Sequence, residues 1–211
     1  MLPILAFDTS AAHCAAALLL ADRVILRDEA VAKGQAERLM PMLEEVLAEG
    51  GIGWSDLRAL AVGTGPGNFT GVRISVAAAR GLALGLGIPA VGVTRLEALA
   101  HGLPRAVLVV EDARRGEVYA QEFREHGPET AKLMDAADII LERGTRVLGS
   151  ASDALAGLWN TEPLLPIYPL VEAIARIGAR RAATPQPRPA PFYLRGADAA
   201  LPADPPPVIL P

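Results

Sequence analysis

No lysine occurs between Lys33 and Lys132, and the 211 residues contain one cysteine and three histidines. Each scarcity removes a class of chemistry. A Walker-type phosphate loop needs G-x-x-x-x-G-K-[ST] with its lysine on the phosphates, so the glycine-rich stretch GTGPGNFTGVR at 63–73 is not one. With Cys14 alone no internal disulfide can form, which fits a reducing compartment. His13, His101 and His126 lie far apart on unlike elements with no pair at i, i+4, so no two-histidine metal site is expected. Aromatics make up 4% of a chain that is 51% hydrophobic, so Ala, Val, Leu and Ile must build the core. A net charge of −4 argues against nucleic-acid binding driven by overall charge, and leaves room for a local basic patch.

The N-terminal MLPILAFDTS has no basic leader and reads as a strand, not a signal peptide. The most apolar long run, 71–88, carries Arg73 and Arg80 and is too short and charged to span a bilayer comfortably. A soluble cytoplasmic protein with no membrane partner is expected.

Strands are expected at 4–7, 14–20 and 24–29. Apolar residues Leu39, Met40, Leu43, Val46 and Leu47 then recur at helical spacing before Gly50-Gly51. Pro41 belongs in a first turn, which places the helix start near 37–39. A strand at 57–62, a helix at 70–86, a strand at 90–93 and a short helix opened by the capping box Thr94-x-x-Glu97 complete the first half. The second half repeats the pattern, with strands at 106–110, 117–123 and 130–134, a helix at 135–142, a strand at 146–148 and helices at 151–159 and 169–183. Nine of the eighteen prolines fall between 185 and 211, where the chain should run extended. Each half opens with an apolar strand ending in aspartate, ILAFD and VLVVED. The expected fold is α/β and duplicated, two lobes each with a mixed sheet flanked by helices. The division is 1–103, a smaller lobe at 104–184, and a proline-rich tail at 185–211.

The glycine loop also misses the Rossmann G-x-G-x-x-G, since Asn68 or Thr70 stands where the last glycine is needed. Pro66-Gly67 suggests a type II turn with glycine supplying the positive φ, and Asn68 or Thr70 can cap the next helix. Three roles stay open: a structural turn, an anion loop comprising Asp8, Thr9, Ser10, Gly65, Gly67 and Asn68, or a contact to a partner chain. The two helices carry surplus apolar surface. Leu39, Met42, Leu43 and Val46 on the first, and Ile74, Ala78, Gly81, Leu82 and Gly85 on the second, either pack on each other or dock another protein. Cys14 reads as a small core residue, Asp8 and Asp112 as turn caps or phosphate-site ligands, and Arg114-Arg115 as a hairpin tip. No nucleophile–base pair is evident, and no catalytic residue, metal or cofactor is assigned.

ILAFDTS, QAERLMPML, GTGPGNFTGVRIS, DARRGEVYAQEF and PFYLR, in this order and spacing, resemble the bacterial TsaB (YeaZ) family, most densely over 1–125. The resemblance implies an actin/Hsp70-like (ASKHA) duplicated RNase H-like fold and a part in making N6-threonylcarbamoyladenosine in tRNA, next to the anticodon. It implies a non-catalytic subunit that pairs with the metal-binding catalytic paralogue TsaD, is joined by the ATPase TsaE, meets tRNA through the complex, and can form a homodimer when alone. The family's docking surface is its first two helices, here about 37–49 and 70–86. Relatives often carry histidine where this chain has Gln35. The competing reading is a small ATP-dependent kinase-like or hydrolytic enzyme of the same fold using Asp8, Thr9 and the loop.

Overall fold

The computed structural model describes residues 3–153, 155 and 163–196. Its first sheet orders as β3-β2-β1-β4-β5, from β1 (Ile4–Asp8), β2 (His13–Leu19), β3 (Val24–Ala30), β4 (Ala59–Gly63) and β5 (Ala90–Val93). β1–β3 are antiparallel, whereas β4 and β5 run parallel to β1. The second sheet repeats the order around β6 (Val107–Asp112). On one side lie β10 (Arg146–Leu148) and β11 (Pro163–Leu164), both parallel; on the other lies antiparallel β7 (Glu117–Arg124). The far edge of β7 is shared by β8 (Gly127–Pro128) and β9 (Lys132–Asp135). The duplication read from the two aspartate-ended strands is therefore present in topology.

The first sheet is covered on both faces, which is why its central strands are apolar throughout. Leu5, Phe7, Cys14, Ala16 and Leu18 face α1 (Gln35–Gly50) and α2 (Phe69–Leu86). Ile4, Ala6, Ala15, Ala17, Ala59 and Ala61 face α4 (Leu170–Arg181). That second face is rich in alanine, with Ile4, Leu19, Val91 and Val93 beside it, and the helix answers with Ala173, Ala175 and Gly178. A Cβ on Gly178 would lie 2.5 Å from that of Ala61. The shortage of aromatics is thus a packing solution: small residues let helix and sheet approach closely.

The helices cross between lobes. α4, from the second half of the chain, packs on β1, β2 and β4 of the first sheet. α3 (Arg95–Leu99), from the first half, places Leu96 and Leu99 against Val107, Val109, Phe123 and Leu148 of the second. A division of the chain at 103/104 separates the sheets but not the helices that cover them.

Several expectations need correction. α1 begins at Gln35, not near 37–39, and Pro41 sits inside it. The carbonyl left without a partner by Pro41 belongs to Glu37, and both residues are exposed, so water can satisfy it. Met40 is exposed while the rest of its stripe is buried. The helix expected at 135–142 is a single 3-10 turn, Ala136–Asp138, opened by the Asp135 carboxylate accepting from the amide of Ala137 at 2.8 Å. Ile139, Ile140 and Leu141 are consecutive, so one helical face cannot bury them; Ile139 is buried and Ile140 is 93% exposed. Thr94 caps α3, but the Glu97 carboxylate pairs with Arg181 on α4 and does not close a capping box. The helix expected at 151–159 falls largely outside the described residues, as does the tail beyond 196.

Gly178→Val should therefore lift α4 from the first sheet and destabilise the chain by about 1–3 kcal/mol or more, read from urea unfolding. Unchanged stability would contradict this packing.

Candidate functional site

The end of β1 and the glycine loop are built into one another. Val62 pairs with Phe7 across parallel strands, so Gly63 stands beside Asp8. A Cβ on Gly63 would fall 1.8 Å from Asp8 Oδ1, one on Gly67 2.3 Å from the Ser10 carbonyl oxygen, and one on Gly71 1.8 Å from that of Thr9. Gly67 and Gly71 are thus required by close approach of the two backbones, and Gly63 by the buried Asp8 side chain. The amide of Asn68 donates to the Ser10 carbonyl at 2.6 Å, the Thr9 hydroxyl donates to the Gly71 carbonyl at 2.6 Å, and the Asn68 side chain caps α2 at the Gly71 amide. No type II turn with positive φ at Gly67 forms: Gly65–Pro66 is cis, and the positive φ, +90°, falls on Gly65.

Asp8, 1% exposed, uses its carboxylate within the loop. Oδ2 accepts from the Ser10 amide (3.1 Å) and hydroxyl (2.8 Å) and lies 2.7 Å from Nε2 of His13, whose Nδ1 is 3.3 Å from Asp28. Burial pushes the Asp8 carboxyl up, but the hydrogen bond and charge of His13, with Arg95 and Ser10, outweigh it and hold the group below its usual range. Burial pushes His13 down, yet the hydrogen bond and charge of Asp8, with Asp28, leave it raised. Gln35 closes the assembly, its amide nitrogen donating to the carbonyls of Ala11 (2.5 Å), His13 (2.8 Å) and Thr9 (3.2 Å). Neither His13 nor Gln35 was assigned a role from sequence. Their signal was present in the short β1–β2 hairpin, which returns His13 beside Asp8. Cys14 is buried, and burial pushes its thiol up to about 11, which suits a core residue.

A cleft of about 600 Å³ separates the lobes. Ser10, Gly67, Asn68 and Phe69 line one side, and Glu111–Arg115, Tyr119 and Ser150 the other, with Arg95 and Arg195 between. Of the six residues expected in an anion loop, Ser10, Gly67 and Asn68 border this cleft. Asp8, Thr9 and Gly65 do not, because each is buried behind the loop it holds. The Arg95 and Glu111 side chains pair across the cleft floor, and Glu111 also accepts from the Ser150 amide at 2.7 Å. Asp112 caps its own turn, accepting from the Arg114 amide at 2.7 Å. Arg114, Arg115 and Gly116 all have positive φ, and Arg195 braces this hairpin through the Ala113 carbonyl (2.9 Å) and Glu117 (2.6 Å).

The expected docking residues divide sharply. Leu39, Met42, Leu43 and Val46 are at most 1% exposed in the lobe's own core and form no surface, because the long side chains of the sheet face fill the whole apolar arc of α1. On α2, Ile74, Ala78 and Leu82 are half-buried at the rim of that core, whereas Gly81 and Gly85 are exposed with nothing within 4 Å of an added Cβ. Leu84 beside them is 83% exposed. By length and composition alone α2 could cross a membrane, but its Val72, Val76 and Ala79 are buried within the fold.

The Asp8–His13 pair gives stability a defined pH window. Raised in the fold, His13 contributes fully below its unfolded value of about 6.5, and that contribution disappears as pH rises through the folded value. Lowered in the fold, Asp8 contributes above about 3.9 and loses its contribution as pH falls through its folded value. The stability lost on His13→Gln should be largest near about pH 5–6 and shrink by about pH 8 in urea titrations; a pH-independent loss would contradict the pairing.

The chain matches the family model described as TsaD: tRNA N6-adenosine threonylcarbamoyltransferase over residues 22–195. It is 38% identical over 157 residues to "tRNA threonylcarbamoyladenosine biosynthesis protein TsaB" of Escherichia coli (strain K12), covering 69% of this chain and 68% of that protein. The protein of the same name in Haemophilus influenzae is 41% identical over 130 residues, 59% of this chain and 55% of its own length. The structure of YeaZ from Pseudomonas aeruginosa superposes with a TM-score of 0.72 at 28% identity, covering 92% of this chain and all (100%) of that one. Ethanolamine utilization protein EutJ from Carboxydothermus hydrogenoformans, at 15% identity and TM-score 0.51 over 81% of this chain and 88% of its own, shares the fold. Two mixed-sheet lobes of repeated topology, with these neighbours, make the fold the duplicated RNase H-like architecture of the actin-like ASKHA proteins. The chain belongs to the TsaB/YeaZ family of tRNA threonylcarbamoyladenosine biosynthesis proteins.

Proposed function

We propose that the chain is a non-catalytic, cytoplasmic scaffold subunit that pairs with the catalytic paralogue TsaD in attaching a threonylcarbamoyl group to N6 of the tRNA adenosine next to the anticodon. TsaE and tRNA join through that complex. The observation that carries this reading is the outer face of α2, where Gly81, Gly85 and Leu84 leave open backbone and an exposed apolar side chain. A glycine inside a helix costs about 0.5–1 kcal/mol relative to alanine, and two on one open face suit close approach by another helix. With the α1 stripe buried, docking rests on α2, flanked by Ile74, Ala78 and Leu82. That Asp8 is committed to Ser10 and His13 supports a role without catalysis of its own. Self-association of the isolated chain would use the same face.

The cleft keeps the ATP-dependent reading in view, since Ser10, Asn68 and several arginines border a volume of ligand size. The two readings part in a reconstituted tRNA modification reaction containing the other components. The scaffold reading expects product only with this chain, and none with folded Gly81→Glu/Gly85→Glu. Product formed equally without the chain would overturn it and favour an ATP-dependent activity of its own. Gly81→Ala/Gly85→Ala should stabilise the isolated chain by about 1–2 kcal/mol while weakening TsaD binding in calorimetry. Unchanged affinity would count against helix-to-helix contact there.

A further inference from the structure

Most arginines whose guanidinium contacts are described face a carboxylate, as Arg38, Arg124, Arg176 and Arg181 do. A different pattern surrounds the loop 100–106, between α3 and β6. Arg180 on α4 meets Nδ1 of His101 at 3.0 Å, Arg105 donates to the Ala100 carbonyl at 3.2 Å, and Arg146 reaches the Pro104 carbonyl at 3.5 Å. Guanidiniums from α4, from β10 and from the loop itself thus gather at one short segment, and each hydrogen-bond acceptor described for them is neutral; Arg105 also sits over the Phe123 ring at 5.2 Å. The His101 ring also lies 5.7 Å from that of Tyr168, over which the Arg176 guanidinium sits 4.5 Å from the ring centre. Burial and the charges of Arg180, Arg176 and Arg105 hold His101 below the usual imidazole range, so it accepts from Arg180 as the neutral ring.

We infer that Arg105, Arg146 and Arg180 form a direct contact surface for the phosphate backbone of tRNA. The inference rests on the family's role in tRNA modification and deepens it, since the scaffold reading brings tRNA only through the complex. Two features favour RNA over an acidic protein segment. All the charge comes from guanidinium, whose planar fork suits phosphate oxygens. Because the partners are neutral, engaging a phosphate breaks no ion pair. A net charge of −4 does not oppose local binding, because contacts beyond a Debye length of about 10 Å are screened. Arg180 stands on α4, which covers the face of the first sheet opposite α1 and α2, so a phosphate held there does not compete with a partner on α2.

The test is fluorescence anisotropy of a fluorescein-labelled tRNA transcript, titrated with the full chain alone and with its TsaD complex, across about 50–200 mM KCl. Arg105→Ala/Arg180→Ala should weaken binding about tenfold and flatten the log K against log[salt] slope by about 1.5–2, near one unit for each phosphate contact removed. Arg105→Lys/Arg180→Lys should keep most of the slope, and Arg23→Ala, at the distant β2–β3 turn, should change neither quantity. Arg180→Glu, altering one exposed side chain, serves if the double variant unfolds and should also weaken binding. Unchanged tRNA affinity and slope in both variants overturns the inference, as does an effect confined to TsaD affinity. If modification needs the chain but tRNA binding ignores these arginines, this inference fails and the scaffold reading stands. If modification proceeds without the chain, the scaffold reading fails, and the anisotropy of the chain alone decides this one.

Discussion

The contact on which the rest depends is the near-contact of two backbones, the end of β1 and the loop that leads from β4 into α2. Gly63, Gly67 and Gly71 are placed where any side chain would collide with Asp8, Ser10 or Thr9. That approach fixes where α2 begins, and Asn68 completes its first turn. Buried acceptors in so dry a place must be satisfied, and Ser10, His13 and Gln35 do so. The loop looks like a phosphate cradle in sequence because both jobs need glycine. Here the bare backbone is turned inward, towards protein.

From that anchor the surfaces divide. One face of the first sheet buries the apolar arc of α1 and one side of α2; the other, lined with alanine, receives α4 from the opposite half. Exchange of α3 and α4 ties the lobes into one body, with Arg95–Glu111 and Glu97–Arg181 spanning the seam. The described part of the tail adds to this. The amide of Phe192 donates to the Thr64 carbonyl at 2.8 Å, and Tyr193 packs on Phe69, 4.8 Å between ring centres. Four of the segments that carry the family resemblance thus contribute residues to the cleft, Ser10, Gly67, Asn68, Arg114 and Arg195 among them.

Much of this was legible in the sequence. The duplicated strand pattern, the helix after the glycine loop, its asparagine cap and the core character of Cys14 all follow from local periodicity and local chemistry. What was not legible depends on distant partners. An apolar arc wide enough for two covers looked exposed on α1 because nothing local tells how far Phe7, Leu18 and Leu60 reach to fill it. The run at 135–142 has enough apolar residues for a helix but spends them consecutively. Glu97 has the capping-box spacing, yet an arginine more than eighty residues away takes its carboxylate. Histidines counted as scattered included one that a single hairpin returns to a buried aspartate.

We propose that the open, glycine-lined face of α2 is the seat of the catalytic partner. Amide hydrogen exchange of the chain, alone and with TsaD, reads this face in one experiment, because helical amides slow when a partner covers them. Docking there adds protection concentrated in α2 around 77–86. Protection confined to other elements, with α2 exchanging as in the free chain, rules the docking face out.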